Sequence, residues 1–298
     1  MAFLLLFLLA LPARADATAE RALLEARLAA LETVLAGDVC ADPDSARAVL
    51  AQTEKGSGAL MNRGQQNPTA AATPDSALPR DQLAARLKRA VVMVLTPKDS
   101  GTGFFVTPDT LVTNAHVVAQ AGADEVLLIG AAVKGVMTAK VIARATGRTQ
   151  QSRDYALLRI DTPIANAALP LSPNVTELDP VVAAGFPGLL VENDIHFQKL
   201  LQGTPTGLPE MILSQGTVMA VQNRSSGLAT IAHSAAISGG NSGGPLVDAC
   251  GRAIGINSFI RVSVDQASNA GYALAIEDVI RFLKEQGLSP DVQESSCR

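Results

Sequence analysis

The chain has no tryptophan, only two tyrosines and an aromatic content of 3%. Such a composition is compatible with a globular core of aliphatic side chains and alanine, and is diagnostic of no class. A surplus of charge is missing as well: 24 Lys and Arg stand against 28 Asp and Glu, a formal −4. That balance provides no basic field to recruit nucleic acid or an anionic membrane surface. Cysteine is scarce. Cys40, Cys250 and Cys297 show no spacing of a zinc or iron–sulfur site, and an odd number permits at most one bridge within the chain. Cys250 has two candidate partners, Cys297 and Cys40, and the remaining thiol is available to another chain. No lysine follows the glycines of Ser238-Gly239-Gly240-Asn241-Ser242-Gly243-Gly244, as a phosphate-cradling loop would require. No metal and no cofactor are expected.

A bilayer-spanning apolar run is also lacking. Residues 2–11 are apolar but too short to cross, and Ala13-Arg14-Ala15 supplies the small-x-small site read by signal peptidase. Residues 1–15 therefore read as a signal peptide, with export to a bacterial periplasm and no membrane span after its removal. Residues 16–54 read as a helical pre-domain, because Leu23, Leu24, Leu28, Leu31, Val34 and Leu35 recur at helical spacing. Such a stripe packs on the body of the protein or on a sister subunit. A polar linker over 55–80 leads to the main domain, 81–290, and a short tail, 291–298.

In the main domain, short β-branched and apolar runs alternate with Gly, Pro, Asn and Asp: 91–95, 103–106, 125–129, 136–144, 155–160, 181–186, 217–221, 229–233 and 252–259. Many short strands between turn residues indicate an all-β barrel or sandwich. The runner-up architecture, alternating helices and parallel strands, lacks the intervening amphipathic helices it would need. A helix closes the domain at 277–286. The segment 189–210 is long for a connection, and connections of that length tend to be functional or mobile.

Ser242 stands among four glycines just before the apolar run opened by Pro245-Leu246, so its hydroxyl is presented rather than buried. Acyl transfer builds negative charge on a carbonyl oxygen, which backbone N–H groups stabilise. Glycine lets a substrate approach the main chain closely. The amides of Gly240 and Ser242, with Asn241 between them, form the candidate oxyanion turn. A serine nucleophile needs a base and an orienting acid. The chain has three histidines: His116 in an apolar segment, His196 in a polar stretch and His233 at the end of a strand-like run. For the acid, Asp154 opens a strand-like segment and Asp161 follows its other end, where aspartate commonly begins a turn.

Together these segments resemble the chymotrypsin-fold (trypsin-like) serine proteases, and within them the HtrA/Deg branch of quality-control proteases. The matches are Gly101-Thr102-Gly103-Phe104-Phe105-Val106, Thr113-Asn114-Ala115-His116-Val117-Val118, Asp154-Tyr155-Ala156-Leu157-Leu158 and Gly240-Asn241-Ser242-Gly243-Gly244-Pro245-Leu246, in the family's His, Asp, Ser order. Secondary matches extend from about residue 88 to 288. The resemblance implies a mainly β fold of two six-stranded antiparallel barrels with a C-terminal helix, and a triad of His116, Asp154 and Ser242. It also implies a specificity pocket floored by Ala236 and walled by Ser258, Phe259 and Ile260. The implied activity is endopeptidase action on proteins or peptides, unfolded ones included, in periplasmic quality control or regulated proteolysis. Relatives are typically trimers, so a homo-oligomer is a further expectation. PDZ domains usually follow in this branch, and with only a short tail after the final helix none is expected here. The alternative implied class is a regulated or inactive protease-fold binding or chaperone module.

Overall fold

The computed structural model describes residues 75–146, 153–204, 206–223, 228–262 and 269–297. The expected signal peptide, the helical pre-domain, Cys40 and most of the linker lie outside the described residues. The first described helix, α1 (Arg80–Ala90), buries Leu83, Leu87 and Ala90 along one stripe. Its last turn carries Lys88 and Arg89, cations suited to the negative end of the helix dipole. The chain turns extended at Val91 and enters β1 (Val91–Leu95) without a loop.

β1 shows why its apolar run is continuous rather than alternating. Val92 and Val94 point into a cluster with Phe105, Leu111, Leu128 and Leu158. Val91 and Met93 join a second cluster with Phe104, Val112, Tyr155, Val182, Val247 and Ile256. One face thus fills a barrel and the other packs that barrel against its neighbour, so both need apolar side chains.

The first barrel adds β2 (Ser100–Phe105), β3 (Thr110–Thr113), β4 (Glu125–Gly130), β5 (Gly135–Thr146) and β6 (Asp154–Arg159), closed in the order β1-β2-β3-β6-β5-β4. The second comprises β7 (Pro180–Gly185), β8 (Ile212–Gln222), β9 (Thr230–His233), β10 (Pro245–Asp248), β11 (Ala253–Val262) and β12 (Asn269–Ala275), closed in the order β10-β11-β12-β9-β8-β7. Its interior holds Val181, Val218, Ile231, Leu246 and Ile254. The pairings are antiparallel, and closure leaves no strand edge open to pair with another chain. These are the two six-stranded barrels the resemblance implies, and helix α4 (Ile276–Glu285) follows them.

Between β7 and β8 the long connection contains two short helices, α2 (Gly188–Val191) and α3 (Ile195–Leu201). Asp194 caps α3 by accepting the amides of His196 and Phe197, and its other carboxylate oxygen accepts the amide of Glu210 at 3.1 Å. Val191 and Phe197 anchor the segment in the core. Among the described residues no helix is long and apolar enough to cross a membrane.

The C-terminal tail is fastened to the second barrel by the Cys250–Cys297 disulfide, which spans 47 residues of sequence. Beside it Arg252, almost fully buried, pairs with Asp248 at 2.7 Å and Asp75 at 3.0 Å and donates to the Ser295 carbonyl at 2.8 Å. A bridge across a loop of this length restricts the unfolded chain by about 4 kcal/mol in the chain-entropy picture. We therefore expect Cys297→Ser to lower the unfolding free energy by about 2–4 kcal/mol, read by denaturant titration under oxidising conditions. Equal midpoints for the variant and the oxidised parent would contradict a stabilising role.

Candidate active site

His116 sits in the turn that follows β3, and the pairing of β3 with β6 determines what lies beside it. Thr113 is opposite Ala156, so the start of β6 runs alongside the His116 turn. The Asn114 side chain donates to the Asp154 carbonyl at 2.8 Å and fastens the two segments. Asp154 then holds His116 at two points. One carboxylate oxygen lies 2.6 Å from His116 Nδ1, and the other accepts the His116 backbone amide at 3.0 Å. With Nδ1 facing a carboxylate, the proton of a neutral ring belongs on Nδ1, which leaves Nε2 as the acceptor.

Electrostatics follow the geometry. The hydrogen bond to Asp154 raises the His116 pKa above the ordinary imidazole value; burial opposes this, while the charges of Asp154 and Asp99 reinforce it. For Asp154, burial alone would raise the pKa. The hydrogen bonds and charge of His116 outweigh it, and the carboxyl titrates below its usual range. Each partner favours the charged form of the other.

The other candidate bases occupy different settings. His196 is half-buried, with Nδ1 3.2 Å from the Thr206 hydroxyl. His233 is fully buried in β9, and burial pushes its pKa down to about 4. Among the described residues, His116 is the histidine paired with a carboxylate. Asp161 lies exposed beyond the far end of β6.

Ser242 arrives from the second barrel, on the turn before β10. Its hydroxyl donates to the Ser258 carbonyl at 2.9 Å, and the Ser258 hydroxyl lies 3.4 Å from the Asp154 carboxylate. Ser258 thus links the nucleophile candidate to the acid candidate, a role distinct from the pocket wall expected for it. Among the described residues the Ser242 hydroxyl makes its hydrogen bond to Ser258 and not to the imidazole.

The glycine turn accounts for its own composition. Gly240 has φ +93°, and a Cβ there would lie 2.4 Å from the Phe186 carbonyl oxygen and 2.7 Å from the Gly188 nitrogen. No other residue fits. The Gly239 carbonyl accepts from the Gly188 amide at 2.7 Å, and in a trans peptide the Gly240 N–H points the opposite way. The Asn241 amide donates to the Ser238 carbonyl at 3.0 Å, and its side-chain oxygen accepts the Ser238 amide at 3.1 Å. Asn241 therefore braces the turn. Among the described residues, the amides of Gly240 and Ser242 have no protein acceptor.

Of the proposed pocket residues, Ala236 is exposed and Ser258 half-buried. Phe259 and Ile260 are placed by backbone pairing opposite Tyr272 and Gly271.

Thr102 is the residue whose part the sequence did not disclose. Fully buried in β2, it receives the Phe186 amide on its hydroxyl at 3.0 Å and donates that hydroxyl to the Gly240 carbonyl at 2.7 Å. Its backbone amide donates to the Ser242 carbonyl at 2.9 Å, and its carbonyl accepts the Thr113 hydroxyl at 2.7 Å. One side chain of the first barrel thereby holds the nucleophile turn of the second. The available signal was a hydroxyl set between two glycines, Gly101 and Gly103, in an otherwise apolar strand.

Comparisons with known proteins point the same way. Residues 101–256 match the family described as a trypsin-like peptidase domain. Among similar proteins, Protease Do-like 1, chloroplastic, of Arabidopsis thaliana is 32% identical over 206 residues, covering 66% of this chain and 42% of that protein. Serine protease HTRA2, mitochondrial, of Bos taurus is 36% identical over 167 residues, covering 55% and 32%. The chain spans about half or less of the length of these relatives. Among solved structures, the HtrA-type protease AlgW with tripeptide superposes with a TM-score of 0.51 at 26% identity, covering 71% of this chain and 65% of that one. By the family match over residues 101–256, and with HtrA proteases among its relatives, the chain belongs to the trypsin-like peptidase domain family.

Proposed function

We propose that the chain is a serine endopeptidase of the HtrA type, hydrolysing peptide bonds through His116, Asp154 and Ser242. The observation that carries this reading is the two-point hold of Asp154 on His116, linked through Ser258 to a serine on a glycine turn with two uncommitted amides. Nε2 of His116 takes the Ser242 proton as Oγ attacks the substrate carbonyl, and Asp154 stabilises the imidazolium that results. The Gly240 and Ser242 amides receive the oxyanion. His116 then protonates the leaving amine, and water repeats the attack on the acyl-enzyme.

The hydroxyl's bond to the Ser258 carbonyl favours a second, compatible reading, in which the resting protein is regulated. Rotation about Cα–Cβ moves Oγ among three staggered positions, and attack uses the one directed at the imidazole. A permanently inactive binding or chaperone module is the contrasting class. Substrates are proteins or peptides, unfolded ones included, in the periplasm to which the leader segment points. Homo-oligomerisation is part of the same proposal. Ala236 and Ser258 offer no charge to pair with, and burying an unpaired charge is costly. Small or medium aliphatic residues before the cut are the preferred fit.

Two measurements test these assignments. Mass spectrometry of products from a denatured protein mixture should show cuts after aliphatic residues, reduced on the order of a millionfold in rate by Ser242→Ala. Parental cleavage by that variant would remove the nucleophile, and efficient cleavage after Arg or Glu would remove the pocket assignment. The pH profile tests the base. A protonated His116 cannot accept the serine proton, so kcat/KM should fall as pH drops through a pKa above the ordinary value of about 6.5. In Asp154→Asn that acid limb should move to lower pH, with the maximal rate reduced about 10⁴-fold. An unmoved limb would contradict the pairing of the two side chains.

A further inference from the structure

Asp154 is flanked by two residues that have no part in the mechanism above, and α4 grips both. The Arg153 guanidinium makes two forks. Nε and Nη2 reach the Asp278 carboxylate at 2.9 and 3.1 Å, and Nη1 and Nη2 reach Glu285 at 2.9 and 3.1 Å. Such bidentate, charge-assisted contacts constrain geometry more tightly than a single ion pair does. On the other side, Tyr155 is fully buried, and its ring meets Phe282 of α4 with centroids 6.1 Å apart.

Successive side chains of an extended strand point to opposite faces. Arg153 and Tyr155 therefore face α4, while Asp154 between them faces His116. Asp278 is itself buried, and it also accepts from Arg281 at 2.7 Å. Removing one partner of a buried ion pair is costly, so the fork is maintained from both ends.

From this arrangement we propose that Arg153 is a positioning residue and α4 a positioning element. By clamping the start of β6 at Asp278 and Glu285, they set the angle at which Asp154 meets His116. The proposal rests on the reading of His116 and Asp154 as base and orienting acid, but its own readout, the titration of His116, needs no turnover.

The carboxylates whose charge acts on His116 are Asp154 and Asp99. Loss of the Arg153 cation would, through charge alone, raise the His116 pKa. Loss of position weakens the Asp154 contact and lowers it. The two effects have opposite signs, which separates them.

The experiment follows the three histidine resonances of the full chain by NMR across pH, assigned by single substitution, alongside steady-state kinetics. Arg153→Ala should lower the His116 pKa toward the ordinary value and reduce kcat about tenfold to a hundredfold with KM unchanged. Arg153→Lys keeps the charge but loses the fork, so it should fall between the two; it also carries the comparison if the alanine variant does not fold. A folded Arg153→Ala protein with parental or raised His116 titration would overturn the proposal, even if its melting temperature fell, because the clamp would then be structural only. If the parent cleaves no peptide, the kinetic arm fails with the functional reading and the titration still decides on the clamp.

Discussion

The pair formed by Asp154 and His116, 2.6 Å apart at the mouth of the first barrel, is the interaction on which the chemistry of this chain depends. A serine hydroxyl is a poor nucleophile until a base stands ready for its proton, and an imidazole serves as that base only in one tautomer and one orientation. The carboxylate sets both, while the second hydrogen bond from the His116 amide keeps it from swinging away. This contact joins residues 38 apart in sequence, and it exists because β3 and β6 are neighbours in a closed barrel.

The nucleophile comes from the other barrel, so the seam between the two must hold. Packing supplies most of that, through the shared cluster of Phe104, Val112, Tyr155, Val182, Val247 and Ile256. Direction is added by Thr102, whose hydroxyl and amide reach the Gly240 and Ser242 carbonyls. Gly243 shows how close the barrels come: with φ +86°, a Cβ there would lie 2.2 Å from both the Thr102 carbonyl oxygen and the Thr113 hydroxyl. Gly243 is thus a consequence of the two barrels meeting at this turn.

What could be read in the sequence followed the range of the interactions. Strands such as Val91–Leu95 and Asp154–Arg159 announce themselves by β-branched and apolar runs between turn residues, and Ile276–Glu285 by its helical stripe. Helix α1 was less legible because its stripe is only Leu83, Leu87 and Ala90 amid charged residues. The helices at 188–191 and 195–201 are too short for intrinsic propensity to declare them. They depend on Val191 and Phe197 entering the core and on the Asp194 cap. In the site, residue types and order pointed to His116, Asp154 and Ser242. The bracing by Thr102 and the link through Ser258 are contacts between distant segments, and no local pattern encodes them. The forks of Arg153, 125 and 132 residues from their acceptors, belong to the same class.

The most direct measurement of the central claim is the site and pH dependence of covalent labelling by a fluorophosphonate, which reacts with a serine made nucleophilic by its neighbours. The account predicts a stoichiometric adduct on the peptide containing Ser242, formed faster as His116 loses its proton and abolished in His116→Ala. An adduct on another residue, or labelling of Ser242 at an unchanged rate without the imidazole, would contradict it.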